Sequence, residues 1–342
     1  MSASGGSRAI IAALAANVAI AVIKFVAFLI TASSSMLAES VHSLADSGNQ
    51  LLLLIGRKRA SRRATPEHPF GYGRDRYVYG FLVALVLFTV GGLFALYEGI
   101  HKVIDPHRLD LPIVAVLVLV AAICLEGWSF RTAVGESREL KGDASWFQFI
   151  RRAKVPELPV VLLEDFAALI GLAFALIGVG LSTLLDEPVW DGIGTMGIGV
   201  LLIAVALVLI VETKSLLLGE AASPDANRKI AEALVGGGVL RVIHQRTEHL
   251  GPDELLVAAK VAMSPHASLA EVAAAIDAAE VRVRAAVPMA RLIYLEPDVD
   301  RGAQPAADAE AGADSRAAAA DVGGSTTAGL ASADTSGREA AK

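Results

Sequence analysis

The chain has 342 residues, 54% of them hydrophobic and only 19% charged, with a formal net charge of -6. Length alone allows two or three soluble domains. A mean hydropathy of +0.55 excludes a wholly soluble chain, because a core that greasy would exceed what a soluble domain can enclose. It also excludes a disordered chain over the first two thirds. The negative balance is no nucleic-acid footprint, so no nucleic-acid partner is expected. The single cysteine, Cys124, lies in an apolar run and reads as a small buried hydrophobe.

Six apolar segments are predicted as membrane-spanning helices, over roughly 9–31, 35–56, 78–100, 111–130, 158–182 and 192–212. Each is long enough to cross a hydrocarbon layer of about 30 Å. The first is too long for a cleavable signal, and a second span follows almost at once. Basic residues set the orientation. The loop after the second span carries Arg57, Lys58, Arg59, Arg62, Arg63, Arg74 and Arg76, and the loop after the fourth carries Arg131, Arg138, Lys141, Arg151, Arg152 and Lys154. The loop after the third has only Lys102 and Arg108, and the loop after the fifth has no basic residue. Both basic loops are therefore expected to face the cytoplasm, with both termini on that side.

Beyond Glu212 the pattern changes. Ser223 is positioned to cap a helix opened by Pro224. VLRVIHQRTEHL and ELLVAAKVAM read as strands around a turn at Gly251-Pro252-Asp253. Ser268 and Glu271 form a capping box before another helix, and ARLIYLEP closes as a strand. The order α-β-β-α-β predicts a small α+β domain. The expected organisation is a six-helix membrane domain over 8–212, a cytoplasmic domain over 213–298 and a disordered tail over 299–342. The tail is Ala, Gly, Asp, Ser and Thr with almost no bulky residue to bury.

The second span carries the chemistry. Ser35, Glu39, His42, Asp46 and Asn49 recur at steps of four and three, which places them on one helix face. Ionisable groups facing lipid cost several kcal/mol, so this face must meet protein or water. His42 and Asp46 are one turn apart and can reach one ion with an imidazole and a carboxylate, a zinc-like ligand pair. The structural alternative is a His–Asp hydrogen bond that ties helices together. The fifth span contains Glu164 and Asp165, whose side chains leave the helix about 100° apart. One of them can complete a site with His42 and Asp46; alternatively the helix starts later and both sit in interfacial water. Glu126 reads as interfacial with an entry-path role as the alternative. Lys24 is expected either to pair with an acidic neighbour or to snorkel. Gly192, Gly194 and Gly197 match a dinucleotide fingerprint without its βαβ context, so close helix packing is the better reading.

The run SSSMLAESVHSLADSGNQ followed by HPFGYGRDR resembles the cation diffusion facilitator family of divalent metal transporters. LEGWSF and PVVLLEDFAAL are similar to its zinc transporter nine-like branch. The resemblance covers roughly 8–298. It implies a homodimeric, multi-pass protein of the cell membrane, not an enzyme, that needs no cofactor and exports Zn²⁺ or a related divalent ion in exchange for protons. It also implies a ferredoxin-like cytoplasmic domain and a metal site of His42 and Asp46 with residues of the fifth span. The usual first member of the fifth-span motif falls on Val161, which cannot ligate. Asp165 is then the expected ligand, followed by small residues Ala167, Ala168 and Gly171, with Glu164 substituting or contributing less. A loop site found in some members falls on Thr65, His68 and Tyr72 and is expected to be absent. Histidine positions of zinc-binding cytoplasmic domains fall on His244, Lys260 and Tyr294, so zinc binding there is not expected. Two other classes remain open on the sequence: a membrane-embedded metalloenzyme and a membrane-anchored interaction module.

Overall fold

A computed structural model describes residues 7–31, 34–106 and 112–300. The expected disordered tail lies, beyond Asp300, outside the described residues. The membrane part comprises α1 (Ser7–Thr31), α2 (Ser34–Ala60), α3 (Asp75–Val86) and α4 (Phe94–Ile104), α5 (Pro112–Lys141), the short α6 (Trp146–Arg152), α7 (Glu157–Leu185) and α8 (Val189–Leu218). A π-helical stretch, Leu87–Leu93, joins α3 to α4 into one continuous rod.

Five of these helical rods are long and apolar enough to cross a membrane: α1, α3–α4, α5, α7 and α8. The chain is a multi-pass membrane protein. α2 has the length, at 27 residues, but its polar stripe lowers its hydropathy. It packs on α1 and α3, while α7 packs on α5 and α8. Ile10, Leu53, Val83, Leu158 and Leu209 are buried between the helices. Ile11, Val22, Leu117, Ile177 and Val200 face outward, as a hydrocarbon solvent allows.

Several boundaries differ from those read off the sequence. α5 does not stop at 130 but runs to Lys141. The apolar run ends where the expected span does, yet the backbone continues as a helix through the charged stretch to Lys141. Glu126 therefore sits mid-helix and is buried, not interfacial. α7 begins at Glu157, directly after Pro156, so Glu164 and Asp165 lie two turns inside the helix rather than in interfacial water. α3 begins at Asp75, and Arg76, read as a loop residue, is a buried helix residue. Cys124 is exposed on the outer face of α5 rather than buried. The glycine triplet of α8 does serve close packing: a Cβ on Gly194 would stand 2.9 Å from the Phe174 carbonyl of α7.

The C-terminal part contains α9 (Pro224–Leu234), β1 (Val239–Gly251), β2 (Glu254–Met263), α10 (Leu269–Ala286) and β3 (Ala290–Val299). The Ser223 cap and the Ser268–Glu271 capping box both form. The three strands lie in the order β1-β2-β3, with β1 antiparallel and β3 parallel to β2. In β2, Leu255, Val257, Ala259, Val261 and Met263 point inward, the alternation read from the sequence. They meet Ile230 and Leu234 of α9 and Ala279 and Val283 of α10.

The two parts touch at a polar junction. Arg76 meets Glu157 and reaches Asp253 in the β1–β2 turn. Arg74 pairs with Glu248, and Lys154 pairs with Glu220. Gly73 lies so close to the β1 end that a Cβ there would stand 2.7 Å from the Leu250 carbonyl.

Candidate metal centre in the membrane domain

A buried polar layer crosses the helical bundle. α1 contributes Asn17 and Lys24; α2 contributes Ser43, Asp46, Ser47, Asn49 and Gln50; α5 contributes Glu126 and Ser129; α7 contributes Glu164 and Asp165. All but the half-buried Asp46 are buried. Helical periodicity explains most of the assembly: the α2 and α5 contributors recur at steps of three or four, and Asn17 and Lys24 of α1 lie seven apart on one face, so these helices turn a polar strip to their neighbours and their apolar remainder to lipid.

The two α7 carboxylates point in different directions. Glu164, 7% exposed, accepts from Asn49 Nδ2 at 3.2 Å and Gln50 Nε2 at 2.8 Å, both on α2. Asn17 of α1 donates in turn to Gln50 Oε1 at 3.3 Å. Asp165, 1% exposed, accepts from Ser129 Oγ of α5 at 2.6 Å. The rotation of about 100° between neighbouring helix positions produces this split. Glu164 thus faces the helix that carries His42 and Asp46, and the Asp46 charge acts on it. Asp165 faces α5.

Lys24 does not snorkel: it is buried, and its ammonium donates to Ser43 Oγ at 3.1 Å. Asn49 Oδ1 is buried and accepts no hydrogen bond, so an oxygen donor is free on the α2 side of Glu164. The His42 side chain lies outside the described residues. Among the described residues, no three His, Cys, Asp or Glu side chains converge closely enough to hold an ion. The α7 carboxylates are preoriented: amide and hydroxyl donors fix their rotamers as outer-shell groups do around a metal.

The comparisons with known proteins decide the family. The pattern of the cation efflux transmembrane domain matches residues 10–218. The chain belongs to the cation efflux family. A Xenopus laevis relative named proton-coupled zinc antiporter SLC30A9, mitochondrial, is 32% identical over 243 residues, which is 70% of this chain and 43% of that protein. An Arabidopsis thaliana relative, metal tolerance protein C4, is 29% identical over 74% of this chain and 56% of its own length. A Cronobacter sakazakii relative, cation-efflux pump FieF, is 26% identical over 73% of this chain and 79% of its own. Within the cation efflux family this places the chain in the zinc transporter nine-like branch. The chain spans less than half the length of the SLC30A9 relatives it matches.

Two secondary positions read from the family pattern are now visible. In the α2–α3 loop, Thr65 Oγ1 hydrogen-bonds the Tyr72 hydroxyl at 3.2 Å, and the His68 ring lies 4.6 Å from that of Tyr72. In the C-terminal sheet, His244 is paired in register with Lys260. Hydrogen bonds to Glu296 and then Asp298 raise the Lys260 pKa above its ordinary value, so an ammonium stands beside His244.

Sequence reasoning named His42, Asp46, Glu164 and Asp165 but missed Ser129 and the role of Gln50. Glu126 and Ser129, three apart in an otherwise apolar run, were the available signal for a polar α5 face. It also missed the buried Arg76–Glu157 pair. The signal was a lone glutamate directly after Pro156 at the start of an apolar span.

Proposed function

We propose that this cation efflux family member exports divalent metal ions, foremost Zn²⁺, from the cytoplasm in exchange for protons. The observation that carries the reading is the placement of buried Glu164, hydrogen-bonded to α2 within one turn of Asp46, in helices that otherwise bury apolar side chains. His42 and Asp46 of α2 and Glu164 of α7 are the proposed ion ligands, with Asp165 contributing from the α5 side. An imidazole with carboxylates suits Zn²⁺, and a carboxylate-rich set also accommodates Mn²⁺, Fe²⁺ or Co²⁺. The same atoms bind protons, so ion and proton compete. The name of the Xenopus laevis relative, a proton-coupled zinc antiporter, supports both cargo and coupling.

The proposed architecture has six spans, with α2 as the sixth, its polar face turned inward. Both termini lie on the cytoplasmic side of the cell membrane, where the basic loops point. The unit after α8 is the cytoplasmic domain, ferredoxin-like in its α-β-β-α-β order, and the working form is a homodimer. The domain limits 8–212, 213–298 and 299–342 belong to the same proposal.

The deciding measurement is uptake of a panel of divalent ions by proteoliposomes containing the full chain, with a pH gradient imposed and then collapsed by an ionophore. Gradient-driven Zn²⁺ uptake that stops on collapse is expected. Absence of flux for every ion, with the protein folded and inserted, would overturn the reading.

A further inference from the structure

Buried carboxylates in membrane helices are held by donors, because an uncompensated charge away from water costs several kcal/mol. Glu164 has Asn49 and Gln50, Asp165 has Ser129, and Glu157 has Arg76. Glu126 is different. It is 6% exposed at the middle of α5, and among the described residues no hydrogen bond or ion pair engages its carboxyl group.

Its surroundings are charged on every side that matters. α5 packs mainly against α1 and α7. From α1 Lys24 acts on it, from α7 Asp165, and from α2 Asp46; Glu164 of α7 feels it in turn. Three residues along the same face, Ser129 holds Asp165. Among the described residues, four carboxyl groups, Asp46, Glu126, Glu164 and Asp165, thus share one layer with the ammonium of Lys24. A divalent ion offsets two negative charges. With the ion absent, protons must replace it, and the group without a donor of its own is the one with room for a proton.

We propose that Glu126 is a proton-carrying residue of the transport cycle, distinct from the ion's ligands. This rests on the transport reading above. When a divalent ion enters from the cytoplasm, the Glu126 O–H bond breaks and the proton passes to cytoplasmic water. When the ion leaves on the far side, the carboxylate takes a proton from water there and carries it back. Metal ligation and proton carriage then use neighbouring but separate groups, and Lys24 keeps the deprotonated form tolerable.

The test uses the full chain. Zn²⁺ binding to detergent-solubilised protein is followed by calorimetry in buffers of different ionisation enthalpy, which counts protons released per ion. Glu126→Gln, which removes an unpaired buried charge, should fold at least as well as wild type and still bind Zn²⁺. Its proton release per ion should fall by about one, and its uptake in proteoliposomes should lose the response to a pH gradient. Glu126→Asp, which retains a carboxyl group, should restore both. Proton release and gradient response equal to wild type in Glu126→Gln would overturn the proposal. So would loss of Zn²⁺ binding in both folded variants, since that makes Glu126 a ligand. If Glu126→Gln fails to fold, Glu126→Asp decides alone: proton release retained with a shifted pH dependence supports the carrier, and a wild-type pH profile overturns it. A wild-type chain that neither binds nor moves metal would remove the transport reading itself, a result distinguishable from coupling that is intact but indifferent to position 126.

Discussion

Arg76 of α3 holds Glu157 of α7 through two guanidinium nitrogens, Nη2 to Oε2 at 2.8 Å, with both side chains buried. The third nitrogen, Nη1, reaches Asp253 of the C-terminal unit at 3.3 Å. One side chain therefore joins two membrane helices and the C-terminal unit. Removing one partner of a buried pair strands the other charge and costs about 3–5 kcal/mol, whereas replacing both by apolar residues is often neutral. Glu157→Ala and Arg76→Ala are expected to lower the melting temperature of the detergent-solubilised chain strongly. The double variant Arg76→Met/Glu157→Leu should recover most of that loss. A double variant as unstable as the sum of the singles would show that the pair does not act as a unit.

Helix packing around α8 depends on close approach. A Cβ at Gly199 would stand 2.6 Å from the Leu96 backbone nitrogen of α4, nearer than real Cβ contacts come, and backbone cannot swing aside as a side chain can. Gly199→Ala should separate α8 from α4 and destabilise the fold by about 1–3 kcal/mol, the usual cost of overpacking. Gly127, where the space around a Cβ is open, should accept Ala without loss. Thermal unfolding of the two variants side by side checks this. Equal melting temperatures would mean that the α4–α8 contact relaxes freely.

The junction also carries a pH dependence. His249 of β1 is buried at 3% exposure. Burial, reinforced by the Lys154 charge, lowers its pKa below the ordinary 6.5. Its backbone N–H donates to the Glu220 carbonyl at 2.9 Å, so the ring is anchored where the C-terminal unit meets the membrane domain. The folded state keeps His249 neutral, and the unfolded state binds the proton first as pH falls. Stability from this group is therefore full above about pH 6.5 and declines below it, toward the lowered folded value. The melting temperature of wild type should fall between pH 7 and pH 5.5 more than that of His249→Gln. Parallel curves for the two proteins would assign the acid sensitivity elsewhere.

Much of this architecture was legible in the sequence, for identifiable reasons. The α-β-β-α-β order and both caps were readable because Ser223, Ser268 and Glu271 act locally, through backbone groups two or three residues away. The inward strip of β2 was readable because Val257, Ala259, Val261 and Met263 alternate with Lys260 on the other face, although Ala262 is buried as well. Helix ends were less so: the apolar run of α5 stops near Phe130, but helical hydrogen bonding continues to Lys141 without needing apolar side chains. The polar stripe of α2 was visible in periodicity alone. Which of two adjacent carboxylates it meets was not, because that depends on the rotation of α7 against α2 and α5, a tertiary quantity. The same holds for Arg76, whose partner lies 81 positions away.

That rotation gives the sharpest test of the proposed site. Glu164 is tied to α2 through Asn49 and Gln50 and feels the charge of Asp46, whereas Asp165 is tied to α5 through Ser129. An ion held by His42 and Asp46 has Glu164 as the α7 carboxylate on its own side. Spacing within the family motif puts Asp165 first, so the two readings predict opposite orders of severity. From the geometry, Glu164→Gln should reduce Zn²⁺ flux as fully as Asp46→Asn, with insertion retained. Asp165→Asn should leave measurable flux with weaker Zn²⁺ affinity, because its effect reaches the ion from the α5 side. Ser129→Ala, which only frees the Asp165 rotamer, should cost about tenfold to a hundredfold in affinity at most, the range for outer-shell partners. The readouts are initial uptake rates in proteoliposomes and Zn²⁺ titration of each purified variant. If Asp165→Asn is silent in both while Glu164→Gln still transports, the ion sits between α5 and α7, and the Glu164–Asn49–Gln50 cluster is a structural tie instead.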